Sequence, residues 1–273
     1  MLKIIASDSD LSANAVIEWL LYWGIPFERY SNATFQGLSN HDLVWMRYVV
    51  DLGSYDYVFS QNFSTKSEIN DAAVFVGLQC PKTHQVSSKE EVEDLLLKGH
   101  NVVIKPSAEV TSISTSDGTK KYANYTTQLS LEKLRNMGNL QWSDYFVQEY
   151  IAADFEVRTI VIDGVVKSAA MMKLGKGSED VKDIRYEVAR NNVLHQEIDL
   201  PQHVEQGLLE LFRKLNIQFG CVDWLVRGSN FYFLEINQVG QFEGTSNQAN
   251  LLAIQTIAEY IKARWKEKYT MRK

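Results

Sequence analysis

Two apolar runs joined by a short polar turn constrain this chain more than any other feature: Gly220-Cys-Val-Asp-Trp-Leu-Val and Phe231-Tyr-Phe-Leu-Glu-Ile-Asn. Both are rich in aromatic and β-branched residues, so they read as a β-hairpin. Inside it lie Asp223, Glu235 and Asn237. Carboxylates in so apolar a setting are costly unless a cation or hydrogen-bond donors meet them. With a three-residue loop, Gly228 to Asn230, Asp223 lies opposite Glu235, and Asn237 falls on the same face because side chains alternate with period two. A two-residue loop would turn Asp223 to the other face. On the first register two carboxylates and an amide oxygen converge. Such an all-oxygen set suits Mg²⁺, with other positions left for water and phosphate oxygens. The competing reading is a polar edge to a buried hairpin.

At 273 residues the chain can hold one large domain or several small ones, with ample core. A net charge of −6, with no dense Lys/Arg block, argues against a nucleic-acid partner. Cys80 and Cys221 stand far apart, without Cys-x-x-Cys or Cys/His clustering, and read as thiols rather than as a disulfide or zinc site. No apolar stretch of roughly 18 residues is present, so no membrane partner is expected. The start, Met1-Leu-Lys-Ile-Ile-Ala-Ser-Asp8, lacks the apolar segment of a signal peptide. The expected location is cytoplasmic.

Along the chain, Leu2–Ala6 reads as a strand and Ser12 to Trp23 as a helix with Ile17, Leu20 and Leu21 on one face. Gly24 and Pro26 end that helix, and Phe27–Tyr30 completes a βαβ unit without a Gly-x-Gly-x-x-Gly fingerprint. Leu43–Tyr48 and Tyr57–Ser60 are weaker strand candidates, and Gln61–Asp71 is of mixed polarity, helical in part or loose. Ser88-Lys-Glu-Glu is a capping box for a helix through Leu97 that stops at Gly99. Asn101-Val-Val-Ile-Lys-Pro is a strand ending in Lys105, and Asp117-Gly118 is expected as a hairpin tip. Tyr145–Tyr150 is a strand, and Glu156–Ile162 with Val165–Lys173 forms a second hairpin around Asp163-Gly164. Pro201 opens a helix that turns Val204, Leu208, Leu211, Phe212 and Leu215 inward. An amphipathic helix with Leu251, Ile254, Ile257, Ile261 and Trp265 closes the chain.

Several positions invite chemistry. Lys105, at a strand end before Pro106, suits a phosphate or carboxylate, although a lysine snorkelling from a strand end reads the same. Glu156 and Arg158 share a face, and a two-residue turn at Asp163-Gly164 brings Lys167 and Lys173 to it. The alternate face would carry Val157, Thr159 and Val161 against Val166, Ala170 and Met172, leaving the charged side for a cleft or for solvent. Gln148-Glu149-Tyr150-Ile151 could offer a backbone carbonyl and N–H to an adenine edge. The Ser107–Gly118 loop, with one glycine, is no Walker-type phosphate loop, but its hydroxyls and amides could fold over a triphosphate.

Taken in order, these positions resemble the ATP-grasp ligase superfamily. The likeness is strongest to the branch of ribosomal-protein glutamate ligases and, within it, to the microviridin-type and grasp-with-spasm peptide maturases. It rests on Lys105-Pro-Ser-Ala-Glu-Val110, Phe155-Glu-Val-Arg-Thr-Ile-Val-Ile-Asp-Gly164, Asp183-Ile-Arg185 and Phe233-Leu-Glu-Ile-Asn-Gln-Val-Gly-Gln-Phe242. The opening Ser7-Asp-Ser-Asp-Leu-Ser-Ala-Asn-Ala-Val-Ile-Glu-Trp-Leu20 is also similar. The resemblance implies an α+β ATP-grasp fold with an amino-terminal βαβ-type domain over residues 1–85 and the clasping lobes over 86–273. It implies ATP and Mg²⁺ as cofactors. Lys105 would meet the α-phosphate, and Gln148, Glu149 and Ile151 would line the adenine. Glu156 would reach the ribose or order the site, Arg190 is the nearest substitute for a second phosphate-side arginine, and Lys173, from the shared hairpin face, is a further cofactor-binding candidate. Arg158 would hold the transferred phosphoryl group, Arg185 the acidic acceptor side chain, and Asp223, Glu235 and Asn237 the metal. The implied partner is a ribosomal precursor peptide, leader plus core. Its Asp/Glu side chains would be activated as acyl phosphates and closed into esters or amides by Ser, Thr or Lys. A homodimer is left open. The rivals are a ligase adding amino acids to a small molecule or protein carboxyl group, and a non-catalytic ATP-grasp-like binding module.

Overall fold

The computed structural model describes residues 1–31, 37–48, 54–60, 62–106, 113–114, 121–122, 126–138, 140–175 and 192–270. Its amino-terminal sheet is parallel, built from β1 (Leu2–Ile5), β2 (Phe27–Tyr30), β3 (Leu43–Met46) and β4 (Asp56–Tyr57) in the order β2-β1-β3-β4. Helix α1 (Leu11–Tyr22) crosses between β1 and β2 as the expected βαβ unit. Asp10 caps it by accepting the Ala13 N–H at 3.0 Å, and Gly24 leaves it at φ 66°. The buried stripe is Ala13, Val16, Ile17 and Leu20; Leu21, expected inward, lies beside that stripe and is 63% exposed. Helix α2 (Lys66–Phe75) is well defined where only partial helix was expected. Thr65 and Glu68 form a reciprocal capping box at its start.

An antiparallel sheet follows, ordered β5-β10-β6-β9, from β5 (Thr83–His84), β6 (Val102–Pro106), β9 (Thr127–Gln128) and β10 (Tyr145–Glu149). A two-stranded ribbon, β7 (Ile113–Ser114) with β8 (Lys121–Tyr122), separates β6 from β9. The expected hairpin tip at Asp117-Gly118 lies outside the described residues. Helices α3 (Lys89–Leu97, capped by Ser88) and α4 (Leu131–Asn136) cover one face, where Val92 and Leu134 pack with Val102, Ile104 and Val147. Alternation leaves Val103, Lys105, Phe146 and Gln148 on the other face.

The carboxy-terminal sheet is also antiparallel, ordered β13-β12-β11-β14-β15, from β11 (Phe155–Ile162), β12 (Val165–Leu174), β13 (Val193–Glu197), β14 (Phe219–Arg227) and β15 (Asn230–Asn237). One face carries Val157, Val161, Val222, Trp224 and Ile236 against α5 (Gln202–Leu215) and against Ile69 and Ala73 of α2. The other carries Ile160, Ile162, Phe219 and Cys221. These join Leu2, Ile4, Leu43 and Trp45 of the amino-terminal sheet, α1, and the closing helix α7 (Ala253–Tyr269), which follows the short α6 (Glu243–Gln248). The first and last parts of the chain therefore share one core. Among the described residues no helix is long and apolar enough to cross a membrane.

Both hairpins contain a β-bulge that the sequence reading lacked. Between β14 and β15 the turn is only Gly228-Ser229, with Arg227 paired to Asn230. Counting back regularly would put Asp223 against Leu234. The ladder instead shifts between Trp224, paired with Phe233, and Asp223, paired with Glu235, so Leu234 is the extra residue. The expected facing is reached by a shorter turn plus a bulge. Between β11 and β12, Asp163 (φ 52°) and Gly164 (φ 75°) form the expected two-residue turn, in the left-handed conformation favoured by tight hairpins. There the bulge overturns the expected facing. Val161 pairs with Val166 but Ile160 with Ser168, so Lys167 is the extra residue. Ala170 and Met172 stand opposite Arg158 and Glu156, and Lys173, one residue further on, falls on the other side.

Candidate active site

The face of the carboxy-terminal sheet that is apolar at Ile160 and Cys221 turns polar toward the Phe155 end of β11. Adjacent strands put Arg158, Asp223 and Glu235 in one row across β11, β14 and β15. Arg158 Nη1 donates to Asp223 Oδ1 at 2.9 Å and Oδ2 at 3.1 Å. The Asn237 amide nitrogen donates to Asp223 Oδ2 at 2.9 Å and to Glu235 Oε1 at 3.4 Å. The three residues expected to hold a metal thus meet, with Arg158 as the counter-charge. Glu156 sits two residues before Arg158 on the same face.

Two lysines complete the cluster from other elements. Lys105 projects from the open face of the antiparallel sheet and lies close enough to Glu235 and Asp223 to feel both charges. Burial pushes its ammonium pKa down, and the two carboxylates pull the other way. Lys66, the first residue of α2, pairs with Glu235 Oε2 at 3.1 Å across the sheet edge formed by β15. Sequence reasoning passed over Lys66. The signal that could have found it is Thr65-Lys-Ser-Glu68, a capping box that fixes the start of a helix and so the place of the lysine. Burial alone would raise the Glu235 pKa, but Lys66 and Lys105 outweigh it and hold the carboxyl below its ordinary value. Arg158 likewise resists burial: Asp223 and Glu235 raise its pKa and keep it charged. Three cations thus surround two carboxylates, an environment that favours a polyanion between the sheets.

The donor set fits a hard divalent cation in type, being two carboxylates and one carboxamide. As it stands the Asn237 nitrogen, not its oxygen, faces the acids, so metal binding requires the amide to turn over. Among the described residues Arg158 Nε is buried without a hydrogen-bond partner beside the ion pair.

At the strand expected to border adenine, Gln148 is buried and its amide donates to Thr83 Oγ1 at 2.8 Å. Glu149 and Tyr150 donate their N–H groups to the carbonyls of Lys82 (2.9 Å) and Asn101 (2.8 Å). The buried Ile151 forms no backbone–backbone hydrogen bond through its N–H among the described residues. Arg185 and Arg190 lie outside the described residues. Lys173 is exposed and, through the bulge, on the face away from Arg158.

A RiPP-associated ATP-grasp ligase from Chryseobacterium gregarium, solved with ADP and a leader and core peptide, superposes with a TM-score of 0.77 over 97% of this chain and 96% of its own, at 18% identity. The chain has the ATP-grasp fold. The macrocyclase MdnC from Microcystis aeruginosa MRC, bound to precursor peptide MdnA, aligns with a TM-score of 0.72 at 21% identity, covering 96% of this chain and 100% of MdnC. The D-alanine–D-alanine ligase from Bacillus anthracis shares the fold more distantly, with a TM-score of 0.58 at 13% identity over 97% of this chain and 99% of its own. No protein-family model and no curated protein sequence matches the chain.

Proposed function

We propose that this protein is an ATP- and Mg²⁺-dependent carboxylate ligase that closes ester or amide crosslinks in a ribosomal precursor peptide. The observation that carries the reading is the Arg158–Asp223–Glu235–Asn237 cluster facing Lys105 between two antiparallel sheets of an ATP-grasp fold. Full-length likeness to peptide-bound ligases of this fold supports the peptide as partner. Nucleotide and metal supply an activated phosphoryl group and neutralise its charge. The chain's own part is positioning. Ile151 would offer its N–H to the adenine edge beside Gln148 and Glu149, and Glu156 would border the ribose. Lys105 and Lys66 would face the phosphates, and Asp223, Glu235 and Asn237, through its amide oxygen, would hold the metal. Arg158, paired with Asp223 in this structure, would stabilise charge on the transferred phosphoryl group. Arg185 is proposed to grip the peptide carboxylate and Arg190 to assist on the phosphate side, while Lys173 is left out because of its face. The division into residues 1–85 and 86–273 and a cytoplasmic location belong to the same proposal.

The test is mass spectrometry of a candidate precursor peptide incubated with enzyme, Mg²⁺ and ATP. Ring closure loses one water per crosslink, so mass falls in steps of about 18 Da with one ADP released per step. A stepwise mass gain would mean that residues are being added instead, and ring closure would be refuted.

A further inference from the structure

Among the described residues, the most deeply buried ion pair joins Asp10 to Arg47, whose side chains are 7% and 2% exposed. Arg47 Nε donates to Asp10 Oδ2 at 2.9 Å and Nη2 to Oδ1 at 3.3 Å. The same guanidinium points Nη1 and Nη2 at the carbonyl oxygen of Gly240, each at 3.3 Å, and lies 5.3 Å from the centre of the Phe242 ring. Gly240 belongs to the turn that leaves β15 directly after Asn237, and its N–H donates to the Asn237 carbonyl at 3.0 Å. The turn is tight. A Cβ at Gly240 would stand 2.6 Å from Cys221 Cβ and 2.9 Å from the Asn237 oxygen, and Cys221 is the cross-strand partner of Asn237. Just beyond, Ser12 Oγ accepts the N–H groups of Phe242 at 2.9 Å and Glu243 at 3.1 Å.

Resting on the metal role given above to Asn237, we infer that Arg47 is a positioning residue for that amide. It grips the Gly240 carbonyl and fixes the Asn237–Gly240 turn from the amino-terminal sheet. Packing alone does not call for this arrangement, because burying two charges carries a desolvation penalty that an apolar pair would avoid. The rigid fork of arginine can hold Asp10 and a carbonyl together, whereas a lysine ammonium, a point charge, cannot span both in the same geometry. The amide of Asn237 must turn over to offer oxygen, and a turn held on its far side lets the side chain rotate without the backbone following.

The experiment uses the full chain with ATP and a titration of Mg²⁺, reading ADP release and, separately, the melting temperature. Arg47→Lys keeps the charge and the Asp10 partner. It should raise the half-activating Mg²⁺ concentration by about 10- to 100-fold, the usual loss when a residue supporting a metal ligand is changed. Asp10→Asn, which loosens the anchor of the guanidinium, should move it the same way and keeps the test open if the lysine variant does not fold. Ile261→Val, in the same apolar cluster, should lower the melting temperature and leave the Mg²⁺ response alone. Unchanged Mg²⁺ dependence in both Arg47→Lys and Asp10→Asn would overturn the inference while leaving the site intact. A Glu235→Gln protein that keeps normal Mg²⁺-dependent turnover would overturn the metal site, and the inference with it.

Discussion

Glu235 is held ionised by two lysines in a setting that would otherwise favour the neutral acid, and Arg158 is held charged by two carboxylates. Removing one charge should therefore be felt in function before fold. Glu235→Gln should abolish ATP turnover, measured as ADP release, while circular dichroism of the nucleotide-free protein stays unchanged, since glutamine keeps the shape and a hydrogen bond to Asn237. Arg158→Ala should lower kcat by roughly 100-fold or more with a much smaller rise in the KM for ATP, the pattern of a contact made mainly in the transition state. A variant whose only defect is the KM would remove Arg158 from that role. The convergence of Asp223, Glu235 and Asn237 was legible in the sequence because acids inside apolar β-runs are expensive and therefore conspicuous, whereas Arg158 stood out only through the family resemblance. Lys66 was not legible, since a lysine in a polar segment is ordinary until the helix start beside it is recognised.

Elements were legible where periodicity and punctuation agree, as in α1, α3, α5 and the two long hairpins. The bulges were not. Leu234 and Lys167 carry no local mark, because a bulge is set by which face must be buried across the sheet rather than by the residue that is skipped. Turn glycines give a contrast that can be measured. Gly164 has φ 75°, and a Cβ there would meet the Leu209 backbone at 3.0 Å; Gly228 has φ 59° with nothing within 4 Å. Alanine at Gly228 should cost about 1 kcal/mol of conformational strain. Alanine at Gly164 should cost more, because α5 must also move, and urea melts of the two proteins should separate accordingly. Equal midpoints would mean that the Asp163-Gly164 turn is looser than the close approach to Leu209 implies.

The whole molecule is tied together by charge as well as by the shared core. Burial would raise the Asp10 pKa, but Arg47 and the Ala13 N–H outweigh it and lower it; Asp42 is lowered too, against its own burial, by Ser39 and the amino terminus. Carboxylates with depressed folded-state values stabilise above their unfolded pKa of about 3.9 and lose that contribution as pH falls through the lower folded value. The melting temperature should therefore hold through mildly acidic pH and drop below about pH 4. Asp10→Asn should flatten that drop, and an unaltered acid limb in that variant would place the lability elsewhere. Phe242→Ala, which empties a fully buried ring site between Arg47 and Phe219, should cost about 3–5 kcal/mol, read by denaturant unfolding.

The position of α7 also has a consequence for synthesis. Ile257, Ala258 and Ile261, near the end of the chain, pack into the same cluster as Leu2, Ile4 and Leu43, near its beginning. Translation proceeds at roughly 5–20 residues per second, so the first strands leave the ribosome many seconds before the helix that covers them. During that interval the β1–β3 face lacks α7 and the β11/β14 ladder that completes the cluster. The nascent chain should therefore expose that apolar face until α7 emerges.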